Sequence, residues 1–159
     1  MDTFSPEKRS EIMRRVHSTD TTPEKKVRSL LHGLGFRFRL HRSDLPGKPD
    51  IVLPKYRTAI LIHGCFWHRH PGCPRASTPA TRREYWLPKF ERTEQRDRIN
   101  QAKLIELGWR VVVIWECEIR DLEHLGKILT HAITAPSMEY SHTEPIVLLA
   151  AENQAKYGK

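Results

Sequence analysis

The sequence has few cysteines and no long apolar run. No stretch approaches the roughly 20 apolar residues that cross a bilayer, and the opening MDTFSPEKRS lacks the apolar block of a secretory signal peptide. We therefore expect a cytoplasmic protein. In that reducing compartment its three cysteines are expected to serve metal binding or chemistry instead of disulfide bonds. The chain also lacks internal repeats and low-complexity linkers.

Length and charge narrow the class further. The 159 residues fit one compact domain, which we expect over residues 1–135, with an irregular tail over residues 136–159. Lysine and arginine number 27 against 19 acidic residues, which gives a net charge of +8. A basic surface favours nucleic acid as a partner, because neutralised phosphates release their counterions. The alternative is that the charge only confers solubility.

Helix signals occur near the N-terminus and in the second half of the chain. Ser5 as a cap and Pro6 at the first helical position predict a basic helix. Thr22 and Pro23 predict the start of a second helix, which ends at a pair of glycines. A long polar helix is predicted to begin near Pro88, and LEHLGKILTHAI reads as a closing helix.

Strand patterns lie between these helices. We predict strands at residues 36–40, 49–53, 58–62 and 109–117. The third and fourth are continuous apolar runs, typical of buried central strands. This order of elements predicts an α/β fold with a central mixed β-sheet flanked by helices.

The three cysteines and one histidine form a candidate ligand set. Cys65, His70 and Cys73 fall within the run HGCFWHRHPGC, and Cys117 ends the last predicted strand. If the third and fourth strands are neighbours, Cys117 returns to the end of the sheet that carries Cys65. Three thiolates and one imidazole would then complete a tetrahedral structural zinc knot. The alternative is that the cysteines are small buried apolar residues.

Two further histidines and one carboxylate are candidates for chemistry. His63 and His68 remain once the zinc ligands are assigned, and imidazole exchanges protons near neutral pH, although either could instead bond backbone carbonyls. Asp50 follows Pro49 at the start of a strand. This matches the first half of the PD-(D/E)XK nuclease pattern, in which the carboxylate holds Mg²⁺ against the scissile phosphate. The second half fails, because Leu61 and His63 stand at its acidic and lysine positions.

Five segments closely resemble the very short patch repair endonucleases. Spread between about Ser10 and Arg120, they read DTTPEKKVRSLL, PGKPDIVL, HGCFWHRH, ATRREYWLPK and RDRINQAKLIELGWRVVVIWECEIR. HGCFWH with the distant WEC is the most specific part. The resemblance implies a PD-(D/E)XK restriction-endonuclease-like fold, with residues 1–135 as a single nuclease domain. It also implies nicking of one DNA strand 5′ to the thymine of a T:G mismatch left by deaminated 5-methylcytosine.

The same resemblance implies roles for individual residues. Asp50 would bind Mg²⁺ together with the backbone carbonyl of Ile62, and His68 would act as general base toward the attacking water. His63 and Glu24 would support it through hydrogen bonds or contacts to metal-bound water. Ile62 stands where one member of the family has threonine, which is harmless if the carbonyl is the ligand. The zinc ligands implied are the four assigned above, and the implied partners are double-stranded DNA with a T:G mismatch and, functionally, a cytosine-5 DNA methyltransferase, for a monomeric enzyme.

Aromatic residues interrupt the ligand run. The resemblance implies that Phe66, Trp67 and Trp86 intercalate into DNA, prising apart base steps that a mismatch has already weakened. The alternative is that they cover the zinc knot and pack into the core, and for Phe66 the two interpretations are evenly matched. Trp109 and Trp115 lie on a predicted core strand and are expected to pack there.

Basic residues offer contacts to the DNA backbone. The helix within residues 1–18 carries Arg14 and Arg15, and Arg82 and Arg83 lie beside Trp86. These four are predicted phosphate contacts, although charged runs are commonly only solvated faces.

Two other functions remain open on the sequence. One is a restriction-type or structure-specific DNA endonuclease of the same fold. The other is a zinc-stabilised DNA-binding module without catalysis. Asp50, His63 and His68 argue against the second, because a pure binder gains little from a carboxylate near a phosphate.

Overall fold

The computed structural model describes residues 5–15, 20–136 and 145–147. In chain order, the helices and strands of these residues are α1 (Pro6–Arg15), α2 (Thr22–Gly33), β1 (Arg39–Leu40), β2 (Ile51–Leu53), β3 (Thr58–His63), α3 (Arg83–Glu106), β4 (Arg110–Trp115), α4 (Leu122–Thr134) and β5 (Ile146–Val147). None of the described helices is long and apolar enough to cross a membrane.

The strands form one mixed sheet in the order β1-β2-β3-β4-β5. β1 pairs antiparallel with β2 and β2 with β3, whereas β3–β4 and β4–β5 are parallel. β3 and β4 run in register from Thr58 opposite Arg110 to His63 opposite Trp115. The C-terminal ends of both central strands therefore lie side by side at the same end of the sheet. This is the central mixed sheet flanked by helices that the PD-(D/E)XK-like fold predicts.

Each face of the sheet buries its own apolar cluster. On one face α2 and α4 pack against alternate strand residues, and the cluster includes Val27, Leu31, Ile51, Ile60, Ile114, Leu125 and Leu129. On the other face α3 contributes Leu104, which packs with Val52, Ala59, Val111 and Trp109. Strand side chains point alternately to the two faces, which is why neighbours in sequence belong to different clusters. Removing one such leucine side chain costs about 2–5 kcal/mol of stability.

The first two helices begin close to where their caps predict. The backbone N–H of Lys8 donates to Ser5 Oγ at 3.2 Å, which confirms the cap of α1. The cap of α2 is Thr21, one residue before the predicted Thr22, and its Oγ1 accepts from the backbone N–H of Glu24 at 3.4 Å. Pro23 follows inside the first turn, where no helical partner exists for the missing N–H.

The start predicted for the long helix was wrong. α3 begins at Arg83, more than one turn before Pro88, and Pro88 lies inside it. Arg82 turns the chain into the helix with a left-handed backbone at φ 56°, and its carbonyl accepts from the N–H of Trp86 at 3.1 Å. A proline this near the helix start removes one helical hydrogen bond, and the rest of the 24-residue helix offsets that loss.

All four predicted strands differ from the structure in their bounds. The predicted strand 49–53 is Ile51–Leu53, 58–62 is Thr58–His63 and 109–117 is Arg110–Trp115, so Cys117 follows β4 and does not end it. Only Arg39–Leu40 of the predicted 36–40 strand pairs with β2. Ile146–Val147, within the tail predicted to be irregular, pairs in parallel with β4 and adds a fifth strand at the sheet edge.

Candidate active site and metal centre

Two stacked imidazoles lie where β3 ends. His63 is the last residue of β3 and is buried, and His68 follows in the next turn with its ring parallel to that of His63, 4.0 Å between ring centroids. Burial, assisted by the neighbouring His68, lowers the pKa of His63 to about 3. His63 is therefore uncharged at neutral pH, and it presents no positive charge that would oppose protonation of His68.

A carboxylate from α3 orients the second histidine. His68 Nδ1 lies 2.6 Å from Asp97 Oδ2. An ionised carboxylate only accepts hydrogen bonds, so the proton resides on Nδ1 and the Nε2 of the neutral ring is left as an acceptor. This is the arrangement that a histidine needs to remove a proton from water.

Asp50 lies at the start of β2 and faces β3. Its Oδ2 accepts a hydrogen bond from the backbone N–H of Ile62 at 2.8 Å. Burial raises the pKa of Asp50 to about 6, although this hydrogen bond acts in the opposite direction. Asp50 is partly buried, and a carboxylate with a raised pKa gains stability from a nearby cation, which makes Asp50 suited to a hard divalent ion.

Glu24 approaches Asp50 from α2. It is only 3% exposed, and its Oε2 accepts from Arg28 at 2.9 Å and lies 3.0 Å from His41 Nε2. The charge of Glu24 contributes to the raised pKa of Asp50. Two carboxylates that line one groove and whose charges interact favour a cation bound there.

These groups share one groove. It has a volume of about 800 Å³ and is lined by the predicted catalytic residues and by cationic side chains. The predicted residues on its wall are Glu24, Asp50, Ile62, His63 and His68, and the cations are Lys48, Lys89 and Arg96. Acidic groups at the centre with lysine and arginine at the rim suit a metal-assisted reaction on a phosphate backbone.

The predicted metal ligands meet behind the groove. One ligand atom from each of Cys65, His70, Cys73 and Cys117 lies within 4.8 Å of the others. Cys117 Sγ is 3.4 Å from His70 Nδ1, close to the roughly 3.6 Å between sulfur and nitrogen in a tetrahedral zinc site. Burial raises the pKa of Cys65, and burial together with the Cys65 thiol raises that of Cys117 to about 12. Thiols so crowded ionise readily only around a cation, and the donor set therefore fits a metal ion.

The elements around this centre hold it at the sheet edge. The parallel pairing of β3 with β4 brings Cys117 to Cys65, as predicted. The ring of His70 stacks on Trp115, with 4.3 Å between centroids. The buried Glu118 accepts from the backbone N–H of Trp115 at 3.2 Å, and it thereby fixes the turn that carries Cys117.

An aromatic cluster borders the groove. Phe66 contacts Trp67, Trp86 and Phe90 edge-on, with ring centroids 5.0, 5.6 and 5.3 Å away. Phe66, Trp67 and Trp86 are each partly exposed, whereas Phe90 is buried beneath them. The cluster therefore has both a packed base, as one interpretation predicts, and an accessible surface, as intercalation requires.

Arg69 fastens the loop that carries these rings. Its guanidinium lies 3.9 Å from the centre of the Phe90 ring and donates to the carbonyls of Phe66, Ser77 and Ala76 at 3.2, 3.2 and 2.7 Å. One side chain thus joins the start and the end of the cysteine-rich loop.

The sequence around this site is shared with known endonucleases. A family model described as DNA mismatch endonuclease Vsr matches residues 1–74. The Type II nicking enzyme V.XorIIP of Xanthomonas oryzae pv. oryzae is 54% identical over 121 residues, 76% of this chain and 88% of that protein. The DNA mismatch endonuclease Vsr of Escherichia coli (strain K12) is 48% identical over 117 residues, 74% of each chain. The chain belongs to the Vsr family of DNA mismatch endonucleases.

Vsr membership confirms the resemblance found in the sequence and the class of DNA endonuclease that it implied. Among solved structures, the catalytic domain of the homing endonuclease I-Bth0305I aligns with a TM-score of 0.49 and 18% identity, covering 71% of this chain and 94% of that domain.

One residue of this Vsr-family site was not predicted from the sequence, and two of the predicted DNA contacts lie outside the described part of the structure. Asp97 was missed although it lies in RDRINQAKLIELGWRVVVIWECEIR, one of the segments that carry the resemblance, because that segment holds many charges and nothing in the sequence assigned a role to this one. The side chains of Arg14 and Arg15 lie outside the described residues. Arg82 and Arg83 are exposed, and Arg82 stacks over Tyr85 with 5.2 Å between its guanidinium carbon and the ring centre.

Proposed function

We propose that this protein nicks one strand of duplex DNA 5′ to the thymine of a T:G mismatch, by Mg²⁺-dependent hydrolysis of the phosphodiester. The observation that carries the proposal is the His68–Asp97 pair, with 2.6 Å between Nδ1 and Oδ2, in the same groove as Asp50. The groove joins a group that accepts a proton to a partly buried carboxylate suited to a divalent cation, and both groups promote hydrolysis of a phosphodiester.

Each groove residue has a separate task in this proposal. Asp50 and the backbone carbonyl of Ile62 hold Mg²⁺, which when bound neutralises charge on the phosphate and on the leaving oxygen. His68 removes a proton from the attacking water through Nε2, a contribution of about 10²–10⁴ in rate. Asp97 keeps the ring in that tautomer and stabilises the imidazolium that forms. His63, uncharged and stacked against His68, supports the ring without competing for the proton.

The metal centre has a structural task. Cys65, His70, Cys73 and Cys117 would hold Zn²⁺ with four protein ligands, leaving no position for a substrate. The ion fixes the loop that begins at β3, and this loop carries His68. Zinc thereby sets the geometry of the catalytic histidines and takes no part in the reaction.

The aromatic cluster would supply mismatch selectivity. Phe66, Trp67 and Trp86 enter the duplex beside the mispair, where unstacking costs less than in paired DNA. Lys89 lies 5.2 Å from the centre of the Trp67 ring, at a place where a phosphate or a base edge could reach it. The arginines at positions 14, 15, 82 and 83 would contact the DNA backbone.

A cytosine-5 DNA methyltransferase is the functional partner that this reaction implies, because deamination of its product creates T:G pairs. Several Vsr-family relatives carry the name Type II nicking enzyme, which supports cutting of one strand. The proposal requires only a monomer, since one active site cuts one strand.

Strand-labelled duplexes test the proposal. With T:G in varied flanking sequence, we expect Mg²⁺-dependent cutting of the thymine strand alone, abolished in Asp50→Ala and nearly so in His68→Ala. Asp44→Ala is the matched control, because Asp44 is exposed, pairs with Arg42 and does not line the groove. Cutting of both strands would favour a restriction-type enzyme, and no cutting in any sequence context would favour a non-catalytic DNA-binding module. Equal cutting of paired DNA would refute the mismatch selectivity.

A further inference from the structure

The two carboxylate oxygens of Glu24 differ in their hydrogen bonds. Among the described residues, every hydrogen bond to it goes to Oε2, from the backbone N–H of Asp20 at 3.1 Å, from Arg28 at 2.9 Å and from His41 Nε2 at 3.0 Å. Oε1 receives none of these bonds, although Glu24 lines the groove together with Asp50. Within the described part of the chain, three donors fix Oε2, and Oε1 accepts no hydrogen bond from the protein.

Arg28 occupies the centre of the surrounding charges. Its NH1 lies 2.8 Å from Asp20 Oδ1 and its NH2 lies 2.9 Å from Glu24 Oε2. Asp20, Glu24 and His41 have the donor atoms and spacing of a cation site, and the guanidinium provides the positive charge there. Its Nε is buried without a partner in the described part of the chain. Arg28 therefore pairs with both Asp20 and Glu24, although this position leaves its Nε–H without a hydrogen bond in the described residues.

His41 links Glu24 to the backbone of Asp50. Its backbone N–H donates to the Asp50 carbonyl at 3.3 Å, while its Nε2 reaches Glu24. Because the Glu24 carboxylate accepts this hydrogen bond, Nε2 of His41 carries a proton. Arg28 NH2 lies 3.3 Å from the same Nε2, and the two nitrogens donate side by side to Glu24 Oε2. His41 and Asp20 both adopt positive φ, at 46° and 56°. Such backbone is uncommon outside glycine and persists where surrounding contacts enforce it, often at functional sites.

We propose that Arg28 and His41 are positioning residues of the nicking reaction, which hold Glu24 by Oε2 so that Oε1 accepts a hydrogen bond from water bound to the divalent cation at Asp50. The inference rests on the function proposed above. Residues that orient such outer contacts change metal affinity or activity by about 10–100-fold when they are removed. Neither residue was singled out in the sequence.

A pair of substitutions at position 41 isolates the contact. Glutamine places an N–H donor as many bonds from Cα as His Nε2, whereas asparagine is one bond shorter and tolerates positive φ at least as well. We expect His41→Asn to raise the Mg²⁺ concentration for half-maximal nicking by about 10-fold, and His41→Gln to restore it. Arg28→Met should have the same effect as His41→Asn, and Arg28→Lys an intermediate one.

A readout without catalysis completes the test. In ¹⁵N NMR of the zinc-loaded full chain, His41 should show its proton on Nε2. Thermal unfolding and zinc content confirm that each variant is folded. Equal Mg²⁺ dependence in His41→Asn and His41→Gln, or a proton on Nδ1 alone, would overturn the inference while Asp50→Ala remained inactive. An active Asp50→Ala would instead overturn the proposed function itself.

Discussion

Asp97 Oδ2 accepts the Nδ1 proton of His68 at 2.6 Å, across a gap between α3 and the loop that follows β3. A carboxylate on α3 thus sets the orientation and the tautomer of the His68 ring, although the two residues are distant in sequence. Neither residue alone determines how the ring is used.

Replacing Asp97 by asparagine tests this pairing. The amide can donate to Nδ1, which favours the tautomer with the proton on Nε2 and removes the acceptor that faces water. We expect the single-turnover nicking rate to fall by about 10²–10⁴-fold, with unchanged affinity for a T:G duplex in a binding assay. Asp44→Asn serves as the control. A loss of binding that parallels the loss of rate would mean that Asp97 shapes the groove instead.

The raised pKa of Asp50 predicts how metal use depends on pH. Burial brings this pKa to about 6, so below that pH a proton competes with the divalent ion for the carboxylate. The half-saturating Mg²⁺ concentration should rise about tenfold for each pH unit below 6 and level off above it. The measurement is a series of Mg²⁺ titrations of the nicking rate between pH 5 and 8. A flat profile would show that the proton does not compete at Asp50.

Removal of the structural metal should unfold the catalytic loop. Cys117→Ser replaces one of the four ligands by a hydroxyl, which binds zinc weakly, and we expect a lower zinc content and a lower thermal midpoint of unfolding. Chelation of the unchanged protein should lower the midpoint likewise, and added Zn²⁺ should restore both midpoint and nicking. An unaltered midpoint after complete loss of metal would contradict a structural role.

The proposed role of the aromatic cluster predicts that loss of Trp67 weakens unstacking of the DNA at the mismatch. Trp67→Ala removes an accessible ring without touching the His68–Asp97 bond. A 2-aminopurine placed beside the T:G pair should then lose about 3-fold or more of the fluorescence rise that reports unstacking, which corresponds to roughly 0.7 kcal/mol or more of unstacking free energy. Nicking should fall in parallel. Leu107→Ala, an exposed apolar residue just beyond α3, is the control. Full unstacking in Trp67→Ala would assign the ring to packing.

The sequence predicted those parts of the fold that repeat a simple pattern. Continuous apolar runs identified β3 and β4 as central strands, and the prediction that Cys117 meets Cys65 depended on their being neighbours, which the structure confirms. Pro88 was misleading because proline favours the first turn of a helix, whereas here the 24-residue helix begins at Arg83 and tolerates the hydrogen bond that Pro88 removes.

Residues that act through others were the harder part of the site. Asp50, His63 and His68 stand in recognisable motifs, whereas Asp97, Arg28 and His41 are ordinary charges on polar segments. What distinguishes them is a contact across 29, 4 and 17 residues of sequence. The contacts of Asp97 and His41 depend on the tertiary fold. The contact between Arg28 and Glu24 is local to α2, and it matters because Glu24 is buried beside the groove.

Helix α3 carries Trp86 and Asp97 on one rigid rod, about 16 Å apart at 1.5 Å of rise per residue. If Trp86 marks the lesion and Asp97 governs the cut, the helix acts as a ruler between them. The position of the cut relative to the mispaired thymine would then be fixed by the length of one helix.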